Sequence, residues 1–365
     1  PEFSGNEWTY VKECIDTGWV SSAGRFVDRL ERDLAAYTDS GYAVAVVNGT
    51  AALHVALLLA GVEPDHEVLI PSLSFVATAN AVSYCRAVPH FVEVDPLTLG
   101  LDPQRLHEHL RTIGERKTDG GLYNRHTGRR IQAVVPMHTF GHPVNMDALL
   151  EVCDDYGLTI VEDAAESLGS KYKGTHTGTF GKLGALSFNG NKVVTTGGGG
   201  AILTKDKKLA EWAKHLTTTA KLPHPWEYRH DSVGFNYRMP NLNAALGCAQ
   251  LERLPDFLAR KRELAERYRQ EFESVDGVSF LVEPAHAESN YWLNAILLPQ
   301  PDFRLRDEIL QATHRHGFLT RPIWTPLHLL PMYADCPRMA LNVTEELAGR
   351  IINLPSGPSI LREEL

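Results

Sequence analysis

Short apolar runs alternate with segments of helical periodicity through the first half of the chain. Runs rich in β-branched residues predict buried strands at 44–47, 67–70, 90–94, 133–136 and 159–161. The patterns between these runs predict helices at 51–60, 76–84, 103–111 and 146–156. Strands that alternate with helices build a mostly parallel sheet with helices on both faces, so the pattern predicts an α/β fold.

The pattern changes at two places along the chain. Residues 114–130 are polar and rich in glycine and charge, which predicts an insertion or mobile loop. From residue 241 to about residue 275, a long helical pattern leads away from the sheet, and the segments after it are typical of a smaller α+β domain. We therefore predict a large domain over residues 1–245 and a small C-terminal domain over residues 246–365.

Composition and charge narrow the class of protein. A chain of 365 residues can bury a large core, and a net charge of -9 without a long basic block argues against a nucleic-acid partner. No apolar stretch reaches the roughly 20 residues that cross a bilayer, and residues 1–4 lack the start of a secretory signal. The five cysteines are odd in number and far apart, as in a protein with reduced thiols. We expect a cytoplasmic protein without a membrane partner.

Three chemically distinct side chains follow predicted strands. Asp163 ends one apolar run, and Ser187 and Lys192 follow another. Pyridoxal 5'-phosphate (PLP) needs a carboxylate at its ring nitrogen, donors at its phosphate and an amine at its aldehyde. Lys192 alone could be a surface lysine, and Asp163 alone could be a helix N-cap. Together with Ser187 they favour a PLP site, in which Lys192 is the nucleophile.

An anion site is predicted where the first strand meets its helix. Gly49 and Thr50 precede an alanine-rich helix, whose first N–H groups have no intrahelical partner and face the positive end of the helix dipole. A phosphate fits there. The alternative is that Thr50 only caps the helix.

Several segments together resemble one enzyme family. Residues 161–167, 186–192 and 195–200 are similar to matching segments of the DegT/StrS sugar-nucleotide aminotransferases, which are fold-type I PLP enzymes. Residues 49–54 resemble the phosphate turn of that family, and residues 71–80 resemble its ring-stacking segment. The likeness covers almost the whole chain. It implies a fold-type I PLP-dependent transferase with a mostly parallel sheet, flanking helices and a smaller C-terminal α+β domain.

The resemblance implies a role for each matching residue. Lys192 would hold PLP through its amine and then move the proton as general acid and base, while Asp163 keeps the ring nitrogen protonated. The remaining cofactor contacts would come from the phosphate turn, a stacked ring and an acid near the phenolic oxygen: Gly49, Thr50, Ser187, Phe75 and Glu166. The alternative for Phe75 is that it belongs to the core, and the alternative for Glu166 is that it is a first-turn acid that opposes a helix dipole. Asn48 stands where many relatives have serine, which leaves only the backbone role of this turn intact.

The same resemblance implies a homodimer with shared active sites. Residues 234–239 resemble a loop that the family offers to the neighbouring subunit, and Asn236 matches the asparagine that reaches the phosphate of that subunit's PLP. The alternative is that Asn236 closes a turn after Gly234.

The expected reaction moves an amino group from an amino acid, glutamate in most of the family, to a nucleotide-linked 4-keto-6-deoxy sugar. Segments 8–11, 16–22, 291–294 and 320–328 look most like the branch that acts on a UDP-linked N-acetyl sugar in legionaminic acid or bacillosamine-type synthesis. An arginine would suit a diphosphate, and the tryptophans would suit a base or sugar face. The candidate substrate residues are Trp19, Arg321, Trp324 and His328, and each could equally pack within the fold.

Other functions compete with this interpretation. A GDP-4-keto-6-deoxymannose aminotransferase of the perosamine type is the nearest alternative. A non-catalytic PLP-binding regulator would not need Lys192, and the relatives that dehydrate sugars have histidine at that position. His138 and His142 have the spacing of metal ligands on a helix, but the prolines and glycine around them break any helix, so we expect no metal.

Overall fold

The strands of the computed structural model, which describes residues 2–362, are short and are spread along the chain. Their bounds are β1 Tyr42–Val46, β2 Glu67–Pro71, β3 Val88–Val92, β4 Gly114–Arg116, β5 Leu122–Asn124, β6 Arg130–Val134, β7 Thr159–Asp163, β8 Lys171–Tyr172, β9 Thr175–His176, β10 Leu183–Ser187, β11 Gly200–Thr204, β12 Lys221–Leu222, β13 Arg229–His230, β14 Ser279–Phe280, β15 Ala287–Glu288, β16 Asn294–Leu297, β17 Arg321–Pro322 and β18 Ile351–Leu354.

Two helices precede the first strand, and the others lie between strands. Their bounds are α1 Glu7–Thr17, α2 Arg25–Thr38, α3 Gly49–Leu59, α4 Val76–Tyr84, α5 Pro103–Ile113, α6 Met146–Tyr156, α7 Lys207–Thr217, α8 Asn241–Glu252, α9 Leu254–Phe272, α10 Phe303–Arg315 and α11 Asn342–Ala348. Single 3-10 turns occur at Thr139–Gly141, Leu327–Leu329, Pro331–Tyr333 and Pro358–Arg362.

The central sheet has the strand order β1-β11-β10-β7-β6-β2-β3. Strands β10, β7, β6, β2 and β3 are parallel to their neighbours in this series, and β11 is antiparallel to both β1 and β10. The predicted mostly parallel α/β sheet is confirmed. Strands β3 and β6 begin two or three residues before the predicted runs, because Val88 and Arg130 pair with neighbours although apolar runs do not begin there.

Helices cover both faces of this sheet, as predicted. In β1, Val44 and Val46 face a cluster that includes α3, α4 and α7, while Ala43 and Ala45 face a cluster that includes α2 and α8. In β2, Leu69 points to the side of α5 and α6, opposite to Val68 and Ile70. Successive side chains of each strand thus point to opposite faces of the sheet, and both faces are buried under helices. This burial fixes the strand register and the position of each strand end.

The prediction for residues 114–130 was wrong in its structural part. The segment forms the antiparallel pair β4–β5, and β5 also pairs with β6 of the central sheet. The buried Glu67 carboxylate is the physical reason, because it accepts hydrogen bonds from Asn124 Nδ2 at 2.9 Å and Thr127 Oγ1 at 2.5 Å. Polar residues here serve a buried charge, which the sequence pattern alone did not reveal.

The long helical pattern after residue 241 is two helices rather than one. Helices α8 and α9 meet at Arg253, next to a proline in the first turn of α9. Beyond α9, a four-stranded antiparallel sheet has the order β14-β16-β18-β17, and one of its faces packs Ile296 and Ile352 against residues of α9 and α10. The predicted boundary between residues 245 and 246 falls within α8, and the division into two domains stays a prediction.

Two global features bear on the sequence expectations. All five cysteines are free thiols, and only Cys336 is not buried. Among the helices within residues 2–362, none has both the length and the apolar character that spanning a bilayer requires.

Candidate active site

The carboxyl ends of several strands meet at one edge of the central sheet. Ala185 of β10 lies opposite Asp163 of β7, and both Ser187 and Val46 lie opposite Gly200 of β11. The segments that follow β1, β7 and β10 therefore leave the sheet side by side. This is the edge at which open α/β sheets bind their ligands.

A cavity of about 330 Å³ opens at this edge. It brings together eight of the residues that the sequence predicted. They come from the first strand–helix turn, the residue before α4, the ends of β7 and β10 with the segments that follow them, and the C-terminal part: Gly49, Thr50, Phe75, Asp163, Glu166, Ser187, Lys192 and Trp324. Met137, Asn189, Asn191 and Trp292 also line it.

One end of the cavity has the form of an anion site. Asn48 caps α3, because its Oδ1 accepts the Ala51 N–H at 2.8 Å, so the helix begins at the cavity wall. A Cβ atom on Gly49 would lie 2.8 Å from Ser187 Cβ, which shows how closely the turn and β10 approach. The first-turn N–H groups of α3 and the Ser187 hydroxyl thus stand together, as a phosphate requires.

Asp163 lies at the buried end of the cavity, with 3% of its surface exposed. Thr78 Oγ1 donates to its Oδ2 at 2.7 Å, and the Ala165 N–H donates to its Oδ1 at 3.2 Å. Burial raises the pKa of this carboxyl above its usual value, whereas these two hydrogen bonds and the charge of Lys192 oppose the rise. A cationic ligand nitrogen beside Asp163 would favour the ionised form.

The Lys192 amine lies between an acid and an aromatic ring. Its Nζ is 3.3 Å from Glu166 Oε1 and 3.6 Å from the centre of the Trp292 ring. Burial raises the pKa of Glu166 to about 7, although the charge of Lys192 and the Phe140 N–H lower it. The amine is thus held at a defined place beside a carboxyl that can change its protonation near neutral pH.

Four residues predicted for binding lie outside this cavity. Asn236 is exposed and accepts hydrogen bonds from Arg238, while Trp19 is 60% exposed and lines a separate cleft beside α1 and α2. Arg321 is exposed and bonds to His314, and His328 is buried between Ser72 and Glu345. The binding roles of these four residues stay predictions, because within a single chain they do not line the cavity that contains Lys192.

Two contacts of the site were not predicted from the sequence. Thr78 lies in the segment that resembles the ring-stacking region, but nothing in its spacing indicated the hydrogen bond to Asp163. Trp292 was expected at a base or sugar, whereas its ring lies over Lys192 Nζ. The adjacent aromatic residues Tyr291 and Trp292 were the one feature of the sequence that indicated a binding surface. They did not indicate that Trp292 would contact Lys192, 100 positions earlier.

The residues of the cavity fit PLP. The buried Asp163, the Lys192 amine and the anion site at Gly49 supply the three partners that the cofactor needs, and the close approach of Gly49 to Ser187 leaves no room for a side chain at the phosphate end. Within residues 2–362, no group of three or more histidine, cysteine, aspartate and glutamate residues is arranged to hold a metal ion.

Comparison with known proteins agrees with this chemistry. The family model described as the DegT/DnrJ/EryC1/StrS aminotransferase family matches residues 1–365. The chain is 36% identical to the GDP-perosamine synthases of Escherichia coli O157:H7 and Caulobacter vibrioides, over 100% of this chain and 94% of each relative. The crystal structure of the aminotransferase TlmJ from Streptoalloteichus hindustanus is similar with a TM-score of 0.87 and 31% identity, over 98% of this chain and 92% of that one.

The fold and the site together define a PLP-dependent sugar aminotransferase. The chain belongs to the DegT/DnrJ/EryC1/StrS aminotransferase family. Its substrates are accordingly a keto sugar and an amino donor.

Proposed function

We propose that this enzyme transfers an amino group from glutamate to C4 of a GDP-linked 4-keto-6-deoxy sugar. The observation that carries the proposal is the placement of the Lys192 amine, 3.3 Å from Glu166, in one cavity with Asp163 and the anion site at Gly49. The similarity to proteins named GDP-perosamine synthase supports a GDP-linked acceptor over the UDP-linked N-acetyl sugar that the sequence segments suggested. The UDP-linked sugar is the competing outcome of the experiment below.

The residues divide the work of the reaction. PLP, when bound, supplies an aldehyde that takes up the amino group and a ring that withdraws electrons. Asp163 holds the proton on the ring nitrogen, because an ionised carboxylate in a buried site favours a cation beside it. Lys192 Nζ would take the proton from the α-carbon of the donor and pass it to the aldehyde carbon of the cofactor, and in the second half-reaction it would carry the proton from there to C4 of the sugar.

Glu166 has a supporting role in this scheme. Its carboxyl, with a pKa of about 7, accepts a hydrogen bond from Lys192 and is itself fixed by the Phe140 N–H at 3.0 Å. The carboxyl therefore locates the amine, and its raised pKa lets it gain or lose a proton near neutral pH.

The proposal includes a homodimer that shares its active sites. Asn236 is exposed and lies outside the cavity of its own chain, in a loop that follows α7. An asparagine in that position is free to reach a second subunit, and a two-fold axis would make the contribution reciprocal.

A panel of acceptors tests the function directly. The enzyme is incubated with PLP, glutamate and either GDP-linked or UDP-linked 4-keto-6-deoxy sugars, and the products are identified by mass spectrometry. We expect a 4-amino product from the GDP-linked sugar, and no product with Lys192→Ala. A product from only the UDP-linked N-acetyl sugar would refute the choice of nucleotide. Absence of any amino sugar from the panel would refute the proposed acceptor class.

A further inference from the structure

One buried side chain connects the two groups that flank the Lys192 amine. Asn290 Nδ2 donates to the carbonyl of Glu166 at 2.9 Å and to the carbonyl of Leu168 at 2.9 Å. Its Oδ1 accepts the backbone N–H of Trp292 at 2.8 Å. Asn290 is only 1% exposed, so these bonds form away from competing water. A single amide thus binds the backbone of both residues that contact Lys192 Nζ.

The Trp292 ring is fixed by further bonds. Its Nε1 donates at 2.8 Å to the carbonyl of Asn191, which directly precedes Lys192. The backbone carbonyl of Trp292 accepts a hydrogen bond from the buried Lys261 Nζ at 3.2 Å. The Nε1 bond thus holds the ring 3.6 Å from Lys192 Nζ, while Asn290 and Lys261 hold the backbone of Trp292.

Asn290 is itself held in a place that only a glycine neighbour permits. A Cβ atom on Gly141 would lie 1.9 Å from Asn290 Oδ1, and Gly141 has a φ of 94°. The Asn290 N–H donates to Ser170 Oγ at 2.9 Å, and Ser170 Oγ donates to the Gly141 carbonyl at 2.7 Å. Three segments that are distant in sequence therefore meet at this asparagine.

We propose that Asn290 is a positioning residue of the active site, which holds Glu166 and Trp292 on two sides of the Lys192 amine. The inference rests on the proposed role of Lys192. A nucleophile must lie within a narrow range of positions, and a displacement of about 1 Å can cost on the order of 100-fold in rate. Loss of the Asn290 amide would leave buried carbonyls unpaired at Glu166 and Leu168 and release both neighbours of the amine.

The chain offers a matched control in Asn294. This asparagine lies four positions later, is also 1% exposed, and its Nδ2 lies 3.4 Å from Ser356 Oγ. Its side chain does not bond to Glu166, Leu168 or Trp292. Replacing Asn294 therefore removes a buried amide from the same segment while leaving the neighbours of Lys192 in place.

The rate at which the cofactor-free enzyme captures PLP tests the inference without turnover. Wild type, Asn290→Ala, Asn290→Asp and Asn294→Ala are mixed with PLP, reduced with borohydride at set times and mapped by mass spectrometry at Lys192. We expect both Asn290 variants to label Lys192 more slowly, on the order of 100-fold, and Asn294→Ala to label it at a rate close to wild type. The aspartate retains the acceptor for Trp292 but loses both donors.

Each outcome decides between the two claims. Wild-type labelling of Lys192 in folded Asn290→Ala would overturn the positioning role alone, whereas a label on another lysine in wild type would overturn the role of Lys192 as well. In turnover, we expect kcat of Asn290→Ala to fall while KM for the sugar stays close to wild type.

A second pair of variants applies if Asn290→Ala does not fold. Trp292→Phe keeps an aromatic face over the amine, and Trp292→Leu removes it. We expect faster PLP capture at Lys192 in the phenylalanine variant than in the leucine variant. Wild-type capture rates in both variants would overturn the proposal.

Discussion

Lys192 and Glu166 form an ion pair with 3.3 Å between Nζ and Oε1, and their side chains are only 12% and 2% exposed. The lysine follows β10 and the acid follows β7, so the parallel pairing of these two strands creates the contact. Burial raises the pKa of Glu166 to about 7. A carboxyl that would be ionised in water is thereby able to gain or lose a proton beside the amine near neutral pH.

The raised pKa of Glu166 predicts a pH-dependent stability. The folded chain binds the proton of the Glu166 carboxyl more tightly than the unfolded chain does. The protonated carboxyl therefore stabilises the folded state fully below pH 4.5, and this contribution is lost as the pH rises to about 7. The free energy of unfolding of wild type relative to Glu166→Gln should therefore fall across this range, by at most about 1.4 kcal/mol per pH unit. Urea denaturation of both cofactor-free proteins measures it, and a constant difference would contradict the raised pKa.

Replacing Asp163 with asparagine separates charge from shape. The ring nitrogen of the bound cofactor should lose its proton, and the rate of the half-reaction with glutamate should fall on the order of 100-fold, or about 2.7 kcal/mol in barrier. Thr78→Val is the control, because it removes the 2.7 Å hydrogen bond to Asp163 and the 2.8 Å hydrogen bond between Thr78 Oγ1 and Ser74 Oγ but keeps the Asp163 carboxylate, and it should have a smaller effect. Near-normal turnover of Asp163→Asn would mean that another residue faces the nitrogen.

The close approach of Gly49 to Ser187 predicts a specific loss of cofactor affinity. A methyl group at Gly49 would lie 2.8 Å from Ser187 Cβ and would push the anion site apart. Gly49→Ala should weaken PLP binding about tenfold, or about 1.4 kcal/mol. Gly190→Ala is the matched control, because its added Cβ meets no atom within 4 Å. Equal dissociation constants, measured by PLP titration, would place the phosphate elsewhere.

The sequence predicted the parts of the site that follow strand ends. Asp163, Ser187 and Gly49 could be placed because apolar runs locate the strands, and parallel strands bring their carboxyl ends to one edge. Contacts between distant segments could not be placed in the same way. The ring of Trp292 over Lys192 and the bonds of Asn290 depend on how the C-terminal part packs against the central sheet, which periodicity does not encode.

Polar segments were the other weakness of the sequence patterns. Residues 114–130 were expected to be a mobile loop, because polarity and glycine are typical of loops. Asn124 and Thr127 instead bind the buried Glu67 carboxylate, and Leu122 is buried beside β6. The sequence pattern does not show that the Glu67 carboxylate is buried. It therefore could not predict that Asn124 and Thr127 would be needed as its hydrogen-bond donors.

Mixing of inactive subunits tests the shared active site. Lys192→Ala and Asn236→Ala are each expected to be inactive as homodimers. A heterodimer collects both substitutions in one site and leaves the other site intact, so activity should return toward half of the wild-type number of sites. Well-mixed heterodimers of folded subunits without any recovery would show that each chain completes its own site.

The identity of the lysine that carries the cofactor is the most direct test of the account. Borohydride reduction of the PLP-bound enzyme followed by peptide mapping should find the phosphopyridoxyl group on Lys192, because among residues 2–362 it is the lysine that lines the cavity of Asp163, with its amine next to Glu166 and Trp292. A label on the exposed Lys182 or Lys205 instead would contradict the assignment of the active site.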